Sequence, residues 1–502
     1  MKAIIIPVML AVLACSAEGA EYYVSNQGND EWPGNSAAAP WRTIAKANAS
    51  VTSGDTVHIR GGIYRESIAP EVSGTEGNRI TFRAYPNEAV TITGVARGIV
   101  ISDCAYVTVD GIACDRTDEY VRVDNSHHIW IKNCTFDNSS KTDGWPNGVL
   151  FRGNAHHNWI DNCRIGRVGY STANDDKGGV VQIGRGSNHN LIENSTIFYG
   201  GHHLLSVVAS YNIIRNNYFH NEEWMSAPHR TETGGKAGNR HLIIEGRGPW
   251  NVVEGNVFAF SGLPPDQDGS AGMSVRTPHN IVRRNVFYEN DMSGLNVYSS
   301  SRRHDVRFNY IYHNVLFRNA YAAKSTFVPF LSGLSLTKHG NGSITDVSIM
   351  NNIFWKNNGD VAISFYYCDR AQQSVSHNWE EAGPPLFVND QTPTDPFRPG
   401  LLDFRLQPRS PCIDAGGFLT RTTAGGRGTA IPVADAGFFT DGYGVVEGDL
   451  IQLEGDLQRL KIVKVDYDGN AIQVEGAAAW QEGQGVSQPF NGSGPDIGAS
   501  EY

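Results

Sequence analysis

The stretch NVVEGNVF, residues 251–258, recurs almost unchanged as NIVRRNVF at residues 280–287. In both copies an apolar run is followed by a short polar turn and a second apolar run. Variants occur along the chain: IWIKNCTF at 129, NWIDNCRI at 158, NLIENSTI at 190, NIIRNNYF at 212, DVRFNYI at 305 and DVSIMNNIF at 346. Steps of roughly 22 to 43 residues between copies indicate a repeat architecture with some inserted loops.

A second short motif alternates in phase with the first one. Its copies are GVLFRGN at 148, GVVQIGR at 179, GMSVRTP at 272, GLNVYSS at 294 and GLSLTKH at 333. One coil cannot bury its apolar side alone, but stacked coils build a continuous core. Asn at a fixed turn position can bond to the coils above and below. The pattern therefore predicts an all-β solenoid, a single-stranded right-handed parallel β-helix.

The last apolar residue of each first motif is expected to point into this core. These residues are predicted to stack on one another: Phe136, Ile165, Ile197, Phe219, Phe258, Phe287, Ile311 and Phe354.

The rest of the chain suggests four segments. Lys2, an apolar run and small residues predict a signal peptide over 1–20, too short to span a bilayer. A cap with a short helix is expected over 21–54, the β-helix over 55–418, and a small β-hairpin module with a closing strand over 419–502. The protein is expected to be secreted or periplasmic, with a lipid anchor on Cys15 as the alternative.

Net charge, hydropathy and cysteine positions exclude several classes of function. The net charge of −11 over 502 residues argues against general nucleic-acid binding. No later run is apolar enough for a membrane span, and we expect a monomer. Cys134 and Cys163 occupy one repeat position, which leaves a stacked pair of small core residues or a disulfide open. No Cys or His spacing typical of a metal site occurs.

Outward residues of successive second motifs form a predicted line. If Met273 and Val275 face the core, Arg276 faces out. The same alternation places Glu245, Tyr298 and Thr337 beside it, with coils about 4.8 Å apart. The core-facing residues of the second motif repeat because they must pack, whereas the outward-facing residues vary from coil to coil. A line of varied outward side chains could bind an extended polymer such as a polysaccharide. Alternatively, Arg276 simply pairs with Glu245.

A long insertion, HNEEWMSAPHRTETGGKAGNRH at residues 220–241, enters just before the strand that carries Glu245. Long loops in compact repeats are more often functional than idle. The candidate catalytic residues are Arg276, Tyr298, Arg240, His241 and Glu245. The candidate substrate-binding residues are His203, Glu222, Trp224, Lys236, Arg247 and Asn296.

The opening YYVSNQGNDEWPGN, the repeated coils and the closing DFRLQPRSPCIDAG and PDIGASEY resemble secreted bacterial right-handed β-helix proteins. Many of these are polysaccharide lyases of the alginate lyase and chondroitinase B type or pectate lyases. The resemblance implies β-elimination on a uronate-containing polysaccharide. Arg276 precedes TPHNIVRRNVF much as an arginine does in the alginate lyase and chondroitinase B type. Arg247 stands where the resemblance implies a lysine base.

No cofactor is firmly predicted. The acidic calcium cluster of pectate lyases is not recognisable, and calcium is left open. Two rival functions remain. A glycoside hydrolase needs two carboxyl groups, for which Glu222, Glu223, Glu245, Asp266 and Asp268 are candidates. A non-catalytic carbohydrate-binding or adhesin β-helix needs none.

Overall fold

In a computed structural model, stacked coils of the chain form a right-handed parallel β-helix, and an antiparallel β-module follows. The structure describes residues 19–141, 145–168, 178–200, 202–221, 240–246, 248–261, 271–299, 305–320, 331–358, 361–391 and 402–502, with Arg240 described in its backbone alone. The predicted fold class is confirmed.

Coils contribute strands to three parallel sheets, called here sheets 1, 2 and 3. Sheet 1 contains Glu21–Val24, Thr56–Ile59, Ile80–Ala84, Val107–Asp110, Trp130–Lys132, Trp159–Asp161, Leu191–Glu193, Ile213–Arg215, Val252–Glu254, Ile281–Arg283, Tyr310–Tyr312, Ser348–Met350 and Ser374–Ser376. Sheet 2 contains Gly62–Tyr64, Val90–Thr93, Ile112–Asp115, Thr135–Asp137, Arg164–Val168, Thr196–Gly200, Tyr218–His220, Val257–Ala259, Val286–Tyr288, Val315–Phe317, Ile353–Trp355 and Trp379–Glu380. Sheet 3 contains Arg97–Ser102, Glu119–Asp124, Asn147–Arg152, Gly179–Ile183, His203–Val207, Arg240–Ile244, Met273–Val275, Leu295–Ser299, Leu334–Lys338 and Ile363–Tyr366.

The predicted apolar stack runs along sheet 2. Strand registry places seven of its eight members in one buried row: Phe136, Ile165, Ile197, Phe219, Phe258, Phe287 and Phe354. The eighth assignment is wrong. Ile311 is buried but belongs to sheet 1, beside Val282, and Leu316 takes the place in the sheet 2 row. The reason is that DVRF adds a separate strand, Asp305–Arg307, which pairs with Ser343–Thr345.

Buried asparagines at the turns form the predicted ladders. Between sheets 1 and 2, the side-chain amide of each Asn donates to the side-chain oxygen of the Asn on the next coil. Distances between these atoms are 2.9 to 3.1 Å along the ladder Asn217, Asn256, Asn285, Asn314, Asn352 and Asn378. A second ladder precedes sheet 1 and comprises Asn158, Asn190, Asn212, Asn251, Asn280 and Asn309. These bonds satisfy polar groups that would otherwise be orphaned in the core.

A helix, Ile44–Ser50, covers the first coils, with Thr43 accepting a hydrogen bond from the amide of Lys46 as its N-cap. The strand Glu21–Val24, within the expected cap, already pairs in parallel with Thr56–Ile59. The expected boundaries at 54/55 and 418/419 remain predictions.

The C-terminal module is larger than the predicted hairpin. The hairpin itself joins Arg459–Asp466 to Ala471–Trp480, and it belongs to a six-stranded sheet. The other strands are Thr420–Arg421, Gly426–Pro432, Leu450–Leu453 and Gly485–Ser487. Short 3-10 helices lie at Arg370–Gln372 and Gly442–Gly444. Before the module, Phe387–Asn389 and Asp403–Leu406 pair antiparallel. The stretch DFRLQPRSPCIDAG, residues 403–416, which the sequence predicts to be a closing coil, therefore begins with an antiparallel strand.

The cysteines of the described part are all free, and Cys134 and Cys163 are buried. The stacked pair of small core residues is therefore what the structure shows. In the described ranges, each helix is too short or too polar to cross a membrane.

Candidate functional site

The outer face of sheet 3 carries the predicted line of side chains. Ile244, Val275 and Val297 are registered neighbours, so the next residues, Glu245 and Arg276, also lie on adjacent coils. Tyr298 and Thr337 continue the row, since they are paired directly. We call Glu245, Arg276, Tyr298 and Thr337 the outer row.

Arg276 lies at the centre of the outer row. Its Nη1 is 3.5 Å from Glu245 Oε2, and its guanidinium carbon is 4.8 Å from the centroid of the Tyr298 ring. The side chain is 20% exposed. Burial lowers the pKa of Arg276 below its usual value, although Glu245 and Tyr298 oppose this shift. The guanidinium is thus held on one side by a carboxylate and on the other by an aromatic face, with part of it left accessible.

A second row, directly beside the first, is buried and polar. Ser274, Asn296 and Ser335 are registered neighbours in sheet 3. Ser274 Oγ donates to Asn296 Oδ1 at 3.3 Å, and Asn296 Nδ2 donates to Ser335 Oγ at 2.8 Å. Asn296 is only 2% exposed, so its expected role in binding substrate is better described as fixing the strand that carries Tyr298.

His241 does not belong to the outer row, and its predicted acid/base role there is wrong. The side chain is fully buried, and its Nε2 donates to the carbonyl oxygen of Ala259 in sheet 2 at 2.7 Å. Burial lowers the pKa of His241 to about 3. The residue lies where the chain passes from sheet 2 to sheet 3, and its imidazole packs into that corner.

A small cavity opens at the Glu245 end of the outer row. Its volume is about 130 Å³, and it is lined by Trp145, Asn147, Gly179, Gln182, His202, His203, Ser206 and Glu245. Trp145 is 47% exposed, and its ring lies edge-on to His202 at 5.1 Å between centroids. His203, a predicted substrate-binding residue, therefore does lie beside Glu245.

Sequence reasoning missed Trp145 and Gln182. Gln182 is registered with Ser206, which occupies the same position as Asn296 three coils later. The alternation within the repeat motif GVVQIGR could therefore have indicated that Gln182 lies on the outer face of sheet 3. Trp145 lies outside the repeat pattern, and only the folded chain brings it to Glu245.

The remaining predicted residues lie outside the described part of the chain. These are Glu222, Trp224, Lys236 and Arg247, the side chain of Arg240, and the alternative carboxylates Glu223, Asp266 and Asp268. Among the residues that are described, no cluster of three or more His, Cys, Asp or Glu side chains is arranged to hold a metal ion.

Two family models match the chain. A Pel9A-like right-handed β-helix region matches residues 22–200, and a right-handed β-helix region matches residues 170–327. The chain is therefore a right-handed β-helix protein, and its resemblance to β-helix proteins of the polysaccharide-lyase kind is confirmed in the fold.

Individual relatives are more distant. The uncharacterized protein YwoF of Bacillus subtilis (strain 168) is 35% identical over 118 residues, which make up 24% of this chain and 22% of that protein. The solved pectate lyase Pel9A is 16% identical, with 82% of this chain and 94% of that chain covered and a TM-score of 0.44. The PL6 family alginate lyase AlyGC is 18% identical, with 72% and 51% covered and a TM-score of 0.47. At these values the likenesses assign no substrate and no site residue to this chain.

Proposed function

We propose that this protein cleaves a uronate-containing polysaccharide by β-elimination, with Arg276 binding the carboxylate of the reacting sugar. The observation that carries the proposal is the position of Arg276. It is a partly accessible guanidinium between Glu245 and Tyr298, directly following a core strand. A guanidinium can bind a carboxylate through two parallel hydrogen bonds. A group placed by a packed strand is held more rigidly than one on a loop.

The shape of the outer row supports a polymeric substrate. Glu245, Arg276 and Tyr298 are part-exposed on three successive coils, so the accessible part of the row extends over about 10 Å, whereas Thr337 is fully buried. The cavity with Trp145 and His203 continues it beyond Glu245. Export through the expected signal over residues 1–20 would bring the protein to such polymers.

The proposed reaction uses the two central residues of the row. Arg276 neutralises the uronate carboxylate, which makes the proton on C5 easier to remove. A base takes that proton, the electron pair forms the C4–C5 double bond, and the C4–O bond to the leaving sugar breaks. The leaving oxygen then takes up a proton. Tyr298 is the candidate acid/base group, because its hydroxyl lies on the ring that faces Arg276.

A product assay on uronate and neutral polysaccharides tests the proposal. Elimination gives products with the ultraviolet absorbance of an unsaturated uronate, whereas hydrolysis gives new reducing ends without it. Arg276→Ala should lower turnover by about two orders of magnitude or more, the usual scale for a key electrostatic group. Arg164→Ala is the matched control, because Arg164 pairs with Asp137 on sheet 2, away from the outer row.

Two outcomes would contradict the proposal. Reducing ends without unsaturated products would mean a hydrolase. Binding without any product would mean a carbohydrate-binding β-helix.

A further inference from the structure

A groove runs between sheet 1 and the C-terminal module, on a face other than that of the outer row. Trp130, Trp159 and Leu191 are registered neighbours on the outside of sheet 1. The module packs against this sheet from Leu191 onward, whereas Trp130 and Trp159 lie at its margin and are half-buried. The groove has a volume of about 540 Å³, and residues 444–447 of the module form its opposite wall. This volume is in the range of small-molecule binding sites.

The aromatic lining of the groove offers both a ring face and a ring edge. The indoles of Trp130 and Trp159 lie 5.3 Å apart between centroids at an interplanar angle of 87°. Trp159 Nε1 is buried and has no hydrogen-bond partner among the described residues.

The polar groups in and beside the groove are two ion pairs. Arg215 Nε donates to Glu193 Oε2 at 2.6 Å, and the Glu193 side chain is 7% exposed. Glu447 lies across the groove and pairs with Lys461 at 2.7 Å. The charges in and beside the groove therefore balance as two ion pairs, Arg215 with Glu193 and Lys461 with Glu447.

We propose that this groove binds a neutral oligosaccharide, as a carbohydrate site separate from the outer row. The C–H face of a pyranose packs on an indole face, and its hydroxyl groups can donate to Glu193 and Glu447, which line the groove. A uronate would gain no unpaired cation here and would meet two carboxylates. The inference goes beyond the proposed function and does not depend on it.

Isothermal titration of the full chain with xylohexaose, cellohexaose and mannohexaose tests the site, with hexagalacturonate as the charged comparison. At least one neutral hexaose should bind saturably with one site per chain. Hexagalacturonate, titrated into the Arg276→Ala variant so that the outer row does not contribute, should bind at least about tenfold more weakly, a factor worth about 1.4 kcal/mol. Trp159→Ala should weaken binding of the neutral ligand about tenfold or more. Glu447→Ala changes an exposed side chain, 82% accessible, and should weaken it without affecting folding.

Controls separate the groove from the outer row and from loss of structure. Trp32→Ala removes another exposed indole, far along the chain, and should leave binding unchanged. Arg276→Ala should also leave neutral-ligand binding unchanged, whether or not the lyase proposal holds. The inference is overturned if no neutral hexaose binds. It is equally overturned if both groove variants, with melting temperatures like that of the unchanged protein, retain full affinity.

Discussion

Tyr298 combines two features in one side chain, a ring that faces Arg276 and a hydroxyl that can transfer a proton. The guanidinium carbon lies 4.8 Å from the ring centroid, a distance at which cation–π attraction is effective. The ring alone can hold Arg276 in place, whereas the proposed chemistry needs the hydroxyl. These two contributions can be separated experimentally.

Tyr298→Phe should separate them, because phenylalanine keeps the ring and removes the hydroxyl. We expect turnover on a confirmed uronate substrate to fall by a factor of about 10²–10⁴, the usual contribution of general acid–base catalysis. KM and melting temperature should change little. Steady-state kinetics and a thermal melt of the same preparation are the measurements. If turnover is unchanged, another group performs the proton transfer and Tyr298 only supports Arg276.

At the scale of the element, the turns of each coil decide how well coils stack. Asn285 shows this best, because it is fully buried and bonded on both sides. Its Oδ1 accepts from the backbone and side-chain amides of Asn256, each at 3.0 Å, and its Nδ2 donates to the carbonyl oxygen of Val253 at 2.9 Å. Each asparagine of the ladder thus supplies hydrogen bonds for polar groups on neighbouring coils as well as for its own side chain.

Asn285→Ala should lower the free energy of unfolding by about 2–5 kcal/mol, since each buried group left unsatisfied costs about 1–3 kcal/mol. Asn378→Ala is the control at the end of the same ladder, where the side chain is part-exposed and water can replace it. Its cost should be clearly smaller. Urea unfolding of both variants measures the difference. Equal losses would mean that position within the ladder is unimportant.

Another element is a column of aromatic rings at the turn before sheet 1. Tyr106, His128, His157, His189 and Tyr211 stack on successive coils, with centroids 4.6 to 5.3 Å apart. Burial, reinforced by neighbouring histidines, lowers the pKa of His128 to about 4. Burial and adjacent imidazoles lower the pKa values of His157 and His189 as well. The folded column therefore favours neutral imidazoles.

Stability should fall as the pH is lowered from about 6.5 toward 4. In that window the unfolded chain binds protons that the folded column does not bind, so acid favours unfolding. Above about pH 6.5 the imidazoles are mostly neutral in both states, and the contribution of the column to the free energy of unfolding no longer changes with pH. His157→Tyr should reduce this slope and leave the melting temperature near pH 8 unchanged, because Tyr106 and Tyr211 occupy equivalent places. Thermal melts across pH test this. An unchanged slope would show that other groups, such as buried His241, dominate.

These elements also show what the sequence could predict. The rows and ladders were predictable because apolar alternation and Asn turns repeat from coil to coil. Ile311 was assigned to the wrong row because DVRF, although similar to a coil motif, forms an extra strand. His241 was predicted to act from the inserted segment, but it lies in the strand Arg240–Ile244, where its imidazole is buried against Ala259 of sheet 2. Trp145 carries no repeat signal at all, so its place beside Glu245 required the fold.

On the scale of the whole molecule, one buried ion cluster joins the β-helix to the C-terminal module. Arg283, on sheet 1, is 2% exposed and donates to both carboxylate oxygens of Asp449 in the module, at 2.6 and 2.7 Å. It also donates to Glu254 on the preceding coil at 2.8 Å. Burial lowers the pKa of Arg283, but the two carboxylates outweigh it and hold the pKa well above its usual value. Arg283 and Asp449 are 166 residues apart in sequence, so no local pattern predicted this contact.

Removing Asp449 should therefore loosen the whole assembly. Asp449→Ala leaves Arg283 buried with one carboxylate instead of two, and breaking a buried pair costs about 3–5 kcal/mol of unfolding free energy. Asp403→Ala, which breaks the exposed pair with Arg405, should cost about 0–1 kcal/mol.

Asp449 also accepts from the Thr440 amide at 3.0 Å, so the double variant Arg283→Met with Asp449→Met is needed to isolate the pair. Its loss should be smaller than the sum of the two single losses, because the charges compensate one another. Denaturant unfolding, followed by tryptophan fluorescence, measures these three variants together with the two matched single variants, Arg283→Met and Asp449→Met. A loss for Asp449→Ala no larger than that for Asp403→Ala would mean that the apolar contact between module and sheet 1, and not the ion cluster, holds the two parts together.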